Sequence, residues 1–413
     1  MKRIIFILII FLSVVGHSQV TSSAMSGTVK SDAGETLPGA SVEIVHKPTG
    51  TKYFSTTGSD GGYAVQGIRP GGPYTVKVTY IGYKTTEITE IIAPLGNNLT
   101  VNVTVQEESN VLSEVIVSTK SKGNFNKGRT GASQQFSNRE ITAIPVTGAR
   151  SINSITKYNA NAGSNGTFGG QDSRLNNFTI DGSVFNNGFG LGNDSQAGGR
   201  TGSTAISLDA IEQLQVSVAP YDVRQSGFLG SGINAVTKSG TNEIEGSVYN
   251  SFRSNKKDYI GTKAGERTVV PGKFEEKIWG ARIGAPIIKD KLFFFGNFET
   301  IENISPATTW TSTGSPQPSA QVSAPTYAQM ETLSNFLQDK FNYTTGPWEN
   351  YDAERISKKF LARVDWNINS NHQLTARYVF HNSSSDELTS NSFSLGNGNR
   401  RTSPLAMSFK NSG

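Results

Sequence analysis

The sequence predicts a mainly β chain in three parts: a small N-terminal β-sandwich, an α+β segment, and the start of an antiparallel barrel that crosses a membrane. Three observations predict it. Short β-rich runs separated by turn signals recur from Ser26 to Gln106, the spacing of two packed antiparallel sheets. A capped helix start and glycine-rich loops follow. Between Glu243 and Phe380, apolar and polar residues alternate with a period of two, the pattern of strands with one face to lipid and one to a lumen.

The first residues carry an export pattern. Lys2 and Arg3 precede the apolar run Ile4 to Val15, and Gly16 and Ser18 are small residues placed for cleavage before Gln19. The run falls short of the roughly 20 apolar residues of a transmembrane helix. Residues 1–18 are therefore expected to be a signal peptide.

Seven strand runs come next: Gly27 to Lys30, Ala40 to His46, Lys52 to Thr56, Gly62 to Val65, Tyr74 to Tyr80, Thr85 to Ile91 and Leu99 to Val105. Their turns are Leu37-Pro38-Gly39, Ser59-Asp60-Gly61 and Pro70-Gly71-Gly72. Asp60, alone in a glycine-rich turn, is expected to bond its own backbone and not a calcium ion.

After a linker, Gln106 to Asn110, the apolar segment Val111 to Lys120 admits two readings. It offers Val115, Ile116 and Val117 for strand addition to a partner, or it is the first strand of the next domain. Ser137 to Glu140 is an S-x-x-E capping box, so a short helix starts there and stops at Pro145.

The barrel runs are Glu243 to Phe252, Ile278 to Ala285, Lys291 to Glu299, Ala362 to Ile368 and Leu374 to Phe380. In the clearest pair, Ala362, Val364, Trp366 and Ile368 oppose Arg363, Asp365 and Asn367, and Leu374, Ala376, Tyr378 and Phe380 oppose Thr375 and Arg377. Short links near Pro286 to Asp290 and Asn369 to His372 alternate with long ones after Phe252 and Glu299, as periplasmic turns alternate with extracellular loops. The longest loop holds a Pro/Ser/Thr-rich arm, Ser312 to Pro325, then a helical pattern with Met330, Leu333, Phe336 and Leu337 on one face. A spanning sheet must close to leave no bare edge, so five strands are expected to be only the first of a larger barrel.

Several chemistries lack their residues. The absence of cysteine removes disulfides, thiolate catalysis and thiolate metal sites. Of four histidines, His17 leaves with the signal, and His46, His372 and His381 have no metal-ligand spacing. Asp172, Asp181, Asp194, Asp209 and Asp222 are scattered, without the clustering of a metal loop. The glycines near Gly188 to Gly202 are not followed by G-K-[ST], so they are not a phosphate-binding loop. A net charge of +5 over 413 residues, without a basic block, gives no nucleic-acid surface. No catalytic residue and no cofactor are expected.

Ser26 to Thr85, with its LPGA turn, SDGGY hairpin, GIRPGG turn and YIGYKT strand end, resembles the carboxypeptidase-regulatory-like, transthyretin-like domain, a name that implies no peptidase activity. Asn176 to Gly188 (NNFTIDGSVFNNG) and Ser207 to Val248, with the glycine-rich loops Gly163 to Gly170 and Gly188 to Gly202, resemble the plug of a TonB-dependent outer-membrane receptor of the Oar-like branch common in Bacteroidota. FTIDG (Phe178 to Gly182), DAIEQLQV (Asp209 to Val216, helix into strand) and GINAVTKSGTN (Gly232 to Asn242) correspond to recurrent plug elements.

The resemblance implies a signal peptide (1–18), a sandwich (19–110), a coupling segment (111–120), a plug (121–240) and barrel strands (241–413). Its energy-coupling box falls on Leu112, Ser113, Glu114, Val115, Ile116 and Val117, departing from the commoner D-E-V-V-V form at Ser113 and Ile116. The implied partners are a TonB-type energy-coupling protein, outer-membrane lipid and an extracellular ligand, with the N-terminal domain in the periplasm. The glycine-rich loops are expected at the extracellular apex, with Arg174 and Asn187 as candidate ligand contacts. Two functions remain open: energised import, or surface adhesion or assembly by a barrel-anchored protein.

Overall fold

The structure, a computed structural model, describes residues 21–108, 115–118, 132–144, 150–163, 166–187, 194–218, 230–255, 263–264, 267–268, 273–307, 310–317, 321–369, 372–386, 394–396 and 399–401. The signal-peptide expectation lies outside them.

The sandwich holds β1 (Ser23–Ser31), β2 (Ser41–His46), β3 (Thr51–Thr56), β4 (Gly62–Ile68), β5 (Gly71–Thr79), β6 (Thr86–Ala93), β7 (Asn98–Thr100) and β8 (Val103–Val105). β4, β1, β7 and β8 form one sheet, and β3-β2-β5-β6 the other. Alternate residues such as Val42, Ile44, Val76, Val78 and Ile88 are buried between them with Met25 and Val29. Each such side chain contributes roughly 1.5–3 kcal/mol by leaving water.

The expected run Leu99 to Val105 is in fact two strands, both parallel to β1, so the sandwich is not wholly antiparallel. The break sits where the Val101 carbonyl crosses Gly27. A Cβ on that glycine would lie 1.8 Å from the oxygen, and Val101 N–H donates to the Ser26 carbonyl at 2.7 Å. Asp60 behaves as a turn residue, its Oδ1 accepting from Gly62 N–H at 2.9 Å, with Gly61 at φ +70.

A further strand, β9 (Val115–Ser118), pairs in parallel with β6, Thr86 opposite Val115 through Thr89 opposite Ser118. It therefore extends the preceding sandwich sheet and is not the first strand of the next domain.

The plug sheet has the order β10-β13-β14-β11-β12, made by β10 (Ala132–Ser137), β11 (Asn177–Ile180), β12 (Ser183–Val184), β13 (Ile211–Val218) and β14 (Ser231–Thr237). The capping box opens α1 (Asn138–Ala143), with Ser137 N–H donating to Glu140 Oε2 at 2.7 Å. A second short helix, α2 (Ile152–Thr156), buries Ile152 and Ile155. In Asp209 to Val216 the helix is only one 3-10 turn, Leu208–Ala210, before β13 begins at Ile211. Ser207 Oγ caps that turn, and the alternating residues beyond it favour the ladder.

The barrel wall is β15 (Glu245–Ser254), β16 (Glu275–Ile288), β17 (Leu292–Pro306), β18 (Asp352–Asn369) and β19 (His372–Ser385), each antiparallel to the next. The last four outrun their sequence patterns because the main-chain ladder continues past the apolar band into polar residues such as Glu275, Glu276 and Asp352. Val248, Trp279, Trp366, Leu374 and Tyr378 stand exposed on the outer face, while Arg363 and Asp365 are buried on the inner one. Phe293 and Phe295 turn inward, and Phe298 is exposed outside. In the long loop, α3 (Tyr327–Phe341) forms behind a Thr326–Gln329 capping box. Its apolar stripe is not a core face: Met330 is buried, but Leu333 and Phe336 are exposed. The arm before it contributes a short parallel pair, Trp310–Thr313 with Gln321–Thr326.

Candidate functional site

The inner wall and the plug share one core. Phe295 of β17 and Leu361 of β18 are buried with Phe178, Ile180, Ile211, Leu214 and Ile233 of the plug. Around this apolar contact, charged groups fix the plug to the wall at three places.

The first centres on Asp181, in the FTIDG turn. Its φ of +43 aims the carboxylate back at β14, where it accepts from Thr237 N–H at 2.7 Å and Thr237 Oγ1 at 2.6 Å. Arg377 Nη1 of β19 donates to the same carboxylate at 2.6 Å, and Arg363 Nη1 of β18 lies 3.7 Å away. Arg363 also forks onto Asp365 with two bonds of 2.9 Å and donates to the Thr237 carbonyl at 2.7 Å. Arg69, in the β4–β5 turn of the sandwich, completes the chain by donating to Asp365 at 3.2 Å and to Ser239 at 2.6 Å. Three guanidinium groups and two carboxylates thus connect sandwich, wall and plug.

Asp209 makes the second contact, 3.3 Å from Arg282 Nε and 3.9 Å from Lys238 Nζ. Burial, with the Arg282 charge added, lowers the Lys238 pKa, while burial raises that of neighbouring Glu212. Both residues line a cavity of about 500 Å³ where sandwich, plug and wall meet. The third contact is the buried pair Glu299–Lys359 on the wall, 2.9 Å apart, to which Ser207 of the plug donates at 3.0 Å. Nearer the long loops, hydroxyl pairs join Thr201 to Ser383 at 2.7 Å and Ser203 to Ser357 at 2.6 Å.

The sandwich docks on the short-turn side of the wall. Gln213 accepts from Leu95 N–H at 2.9 Å and donates to the Ala93 carbonyl at 3.1 Å, and Gln135 donates to the Leu95 carbonyl at 2.5 Å. Asn367 donates to Thr51 at 3.0 Å. Where the chain leaves the plug, Gly240 lies so close to the wall that a Cβ would stand 2.3 Å from the Phe294 carbonyl and 2.7 Å from that of Ala285.

Of the expected box, Val115, Ile116 and Val117 are in β9, and Leu112, Ser113 and Glu114 lie outside the described residues. Arg174 lines a cavity of about 990 Å³ with Lys157, Asp194 and glycines of both loops, Gly163, Gly166, Gly199 and Gly202. Its guanidinium is already forked onto Asp172, whose pKa that hydrogen bonding lowers to about 2. Asn187 does not line this cavity; its N–H donates to the Ser195 carbonyl. Among the described residues no three His, Asp or Glu groups gather as for a metal, and Asp222 lies outside them.

Sequence reading missed the ionic contacts between plug and wall. Their signal was present: Arg363, Asp365 and Arg377 are charged residues on the lumen-facing register of membrane strands, where burial calls for partners.

An apolar-faced strand wall holding an α+β insert against its charged inner face defines a plugged outer-membrane barrel. Residues 24–106 match the carboxypeptidase regulatory-like domain, and residues 236–335 match an outer membrane beta barrel domain. The chain is 26% identical over 383 residues to the TonB-dependent transporter Oar of Myxococcus xanthus, covering 86% of this chain and 33% of the relative. It thus spans about a third of the length of that curated protein. The outer membrane transporter YddB from Escherichia coli is similar at 12% identity and TM-score 0.43, over 63% of this chain and 34% of its own. The siderophore receptor PirA from Acinetobacter baumannii is similar at 16% identity and TM-score 0.38, over 64% and 33%. The chain is thus similar to a TonB-dependent transporter and carries an outer membrane beta barrel domain match, which place it in the outer membrane.

Proposed function

We propose that the chain forms the signal, sandwich, coupling segment, plug and first barrel strands of a receptor that binds an extracellular ligand and imports it with energy from a TonB-type complex. The observation that carries this reading is the seated plug. Its core is continuous with the wall through Phe295 and Leu361, and its Asp181 is gripped by wall guanidinium groups. Such a plug does not yield to diffusion alone, because parting buried charges from their partners costs several kcal/mol. The outer membrane has no ATP supply of its own, so the work must arrive mechanically from a partner. A partner pulling on Val115 to Val117 would load the chain that leads into β10.

Strand addition to that partner depends on main-chain groups, and proline removes a donor and fixes φ. Val115→Pro is expected to cut co-purification of the receptor with the periplasmic domain of a TonB-type protein by tenfold or more. Barrel yield and surface binding should be unchanged. Undiminished capture by this variant would remove the coupling assignment. The same experiment separates import from adhesion, since an anchored adhesin gains nothing from an energy-coupling protein.

A further inference from the structure

The sandwich has no role in the reading above except as a passenger, yet its sheet ends on the coupling segment. The order is β3-β2-β5-β6-β9, so β9 is the edge strand, and among the described residues no strand pairs with its outer edge. Among the described residues β6 pairs with four of the segment, Thr86–Thr89 against Val115–Ser118. The next residue of β6, Glu90, has a left-handed φ of +61. A positive φ at a non-glycine residue marks a local kink. β6 thus holds Val115–Ser118 extended, with no strand on their other edge among the described residues.

We infer that the sandwich is a presentation platform: its β6 edge holds Val115–Ser118 as a ready-made edge strand, onto which a strand of the energy-coupling protein adds without displacing β6. This rests on the coupling reading of the segment. Two features of the fold support it. An exposed edge strand invites strand addition, and natural proteins cover or disrupt edges that have no partner. An extended segment already ordered loses less conformational freedom when its partner binds. The platform is also anchored, through the bonds of Gln213 and Gln135 to Ala93 and Leu95 and through Arg69 to Asp365. A load on the composite sheet therefore reaches plug and wall by these contacts as well as along the chain.

The test is a covalent tie between platform and segment in the cysteine-free chain. Glu87 and Ile116 are register partners, and neighbouring strands lie about 4.8 Å apart, within reach of a disulfide or a short dithiol linker. The receptor carrying Glu87→Cys and Ile116→Cys is linked, then titrated with the periplasmic domain of a TonB-type protein beside the free peptide Val111 to Lys120. The expected result is that the linked receptor binds as tightly as the unlinked one, or up to tenfold more tightly, and both bind at least tenfold more tightly than the peptide. A tenfold loss on linking, reversed by reduction of the disulfide, would show that the segment must leave β6 and would overturn the platform. So would a peptide that binds as well as the receptor, or two cysteines that react singly but never link. If neither peptide nor receptor binds although the link forms, the coupling reading itself fails and the platform falls with it.

Discussion

Asp181 carries two demands on one side chain. Its φ of +43 is a conformation that aspartate and asparagine tolerate better than most non-glycine residues. Its carboxylate also holds Thr237 of the plug and Arg377 of the wall. Asp181→Asn keeps the turn but removes the charge, so it isolates the ionic grip; Asp181→Ala adds backbone strain. Leaving the half-buried Arg377 guanidinium without its carboxylate costs roughly 1–3 kcal/mol. The Asn variant is therefore expected to shed its plug from the wall at lower denaturant, read as protease cleavage within β11–β14 while the barrel stays folded. An unchanged plug would show that the hydrophobic contact suffices.

His46 makes a second residue-scale prediction. It is buried against Tyr74 at 4.7 Å between ring centres and bonded to Thr49 at 2.6 Å. Burial, with Arg69 nearby, lowers its pKa from the ordinary 6.5 to about 3. The unfolded chain then binds a proton that the folded one refuses between those values. Its contribution to stability is full above pH 6.5 and declines as pH falls toward 3, by about 1.4 kcal/mol per pH unit. Sandwich unfolding followed by tyrosine fluorescence should show this slope, and His46→Gln should flatten it; an equal slope in both would assign the acid sensitivity elsewhere.

At the scale of elements, the strands were legible and their partners were less so. The alternation from Ala362 to Phe380 gave two barrel strands and the face of each residue, because a wall between lipid and lumen imposes period two. The capping box at Ser137 and the Asp60 turn were legible because their bonds are local. The attachment of β9 to β6 was not, since a parallel pairing between residues nearly 30 apart has no local signature. The split near Val101 was hidden too: it follows from Gly27 on another strand. The stripe on α3 reads as a core face, yet in a loop nothing described covers Leu333 or Phe336. Nor did pattern reveal that Arg174 is occupied by Asp172.

Gln213 tests how the elements join. It accepts the Leu95 N–H and donates to the Ala93 carbonyl, a pair of bonds worth roughly 1–3 kcal/mol when a buried group loses its partner. Gln213→Ala is expected to raise hydrogen exchange at the Leu95 amide by tenfold or more while β13 and β14 stay protected. Equal protection of Leu95 would mean that the sandwich is held without this side chain. Gly240 sets the other limit, since a larger residue there has no room against the Phe294 and Ala285 carbonyls. Gly240→Val should lower the yield of folded barrel.

At the scale of the whole molecule, we propose that the sandwich and the long-loop helix lie on opposite sides of the outer membrane, joined by the plug that packs against the wall. Docking of Thr51 against Asn367, beside a short turn, and the placement of α3 in the longest connection both follow from one strand direction. The most direct measurement uses the absence of cysteine from these 413 residues. Single cysteines replace Ala33 in the sandwich or Asn335 on α3, both exposed, and intact cells are treated with a maleimide that does not cross the outer membrane. Asn335→Cys is expected to be labelled on intact cells and Ala33→Cys only after the outer membrane is opened. Labelling of Ala33→Cys on intact cells, with Asn335→Cys protected until permeabilisation, would contradict this placement.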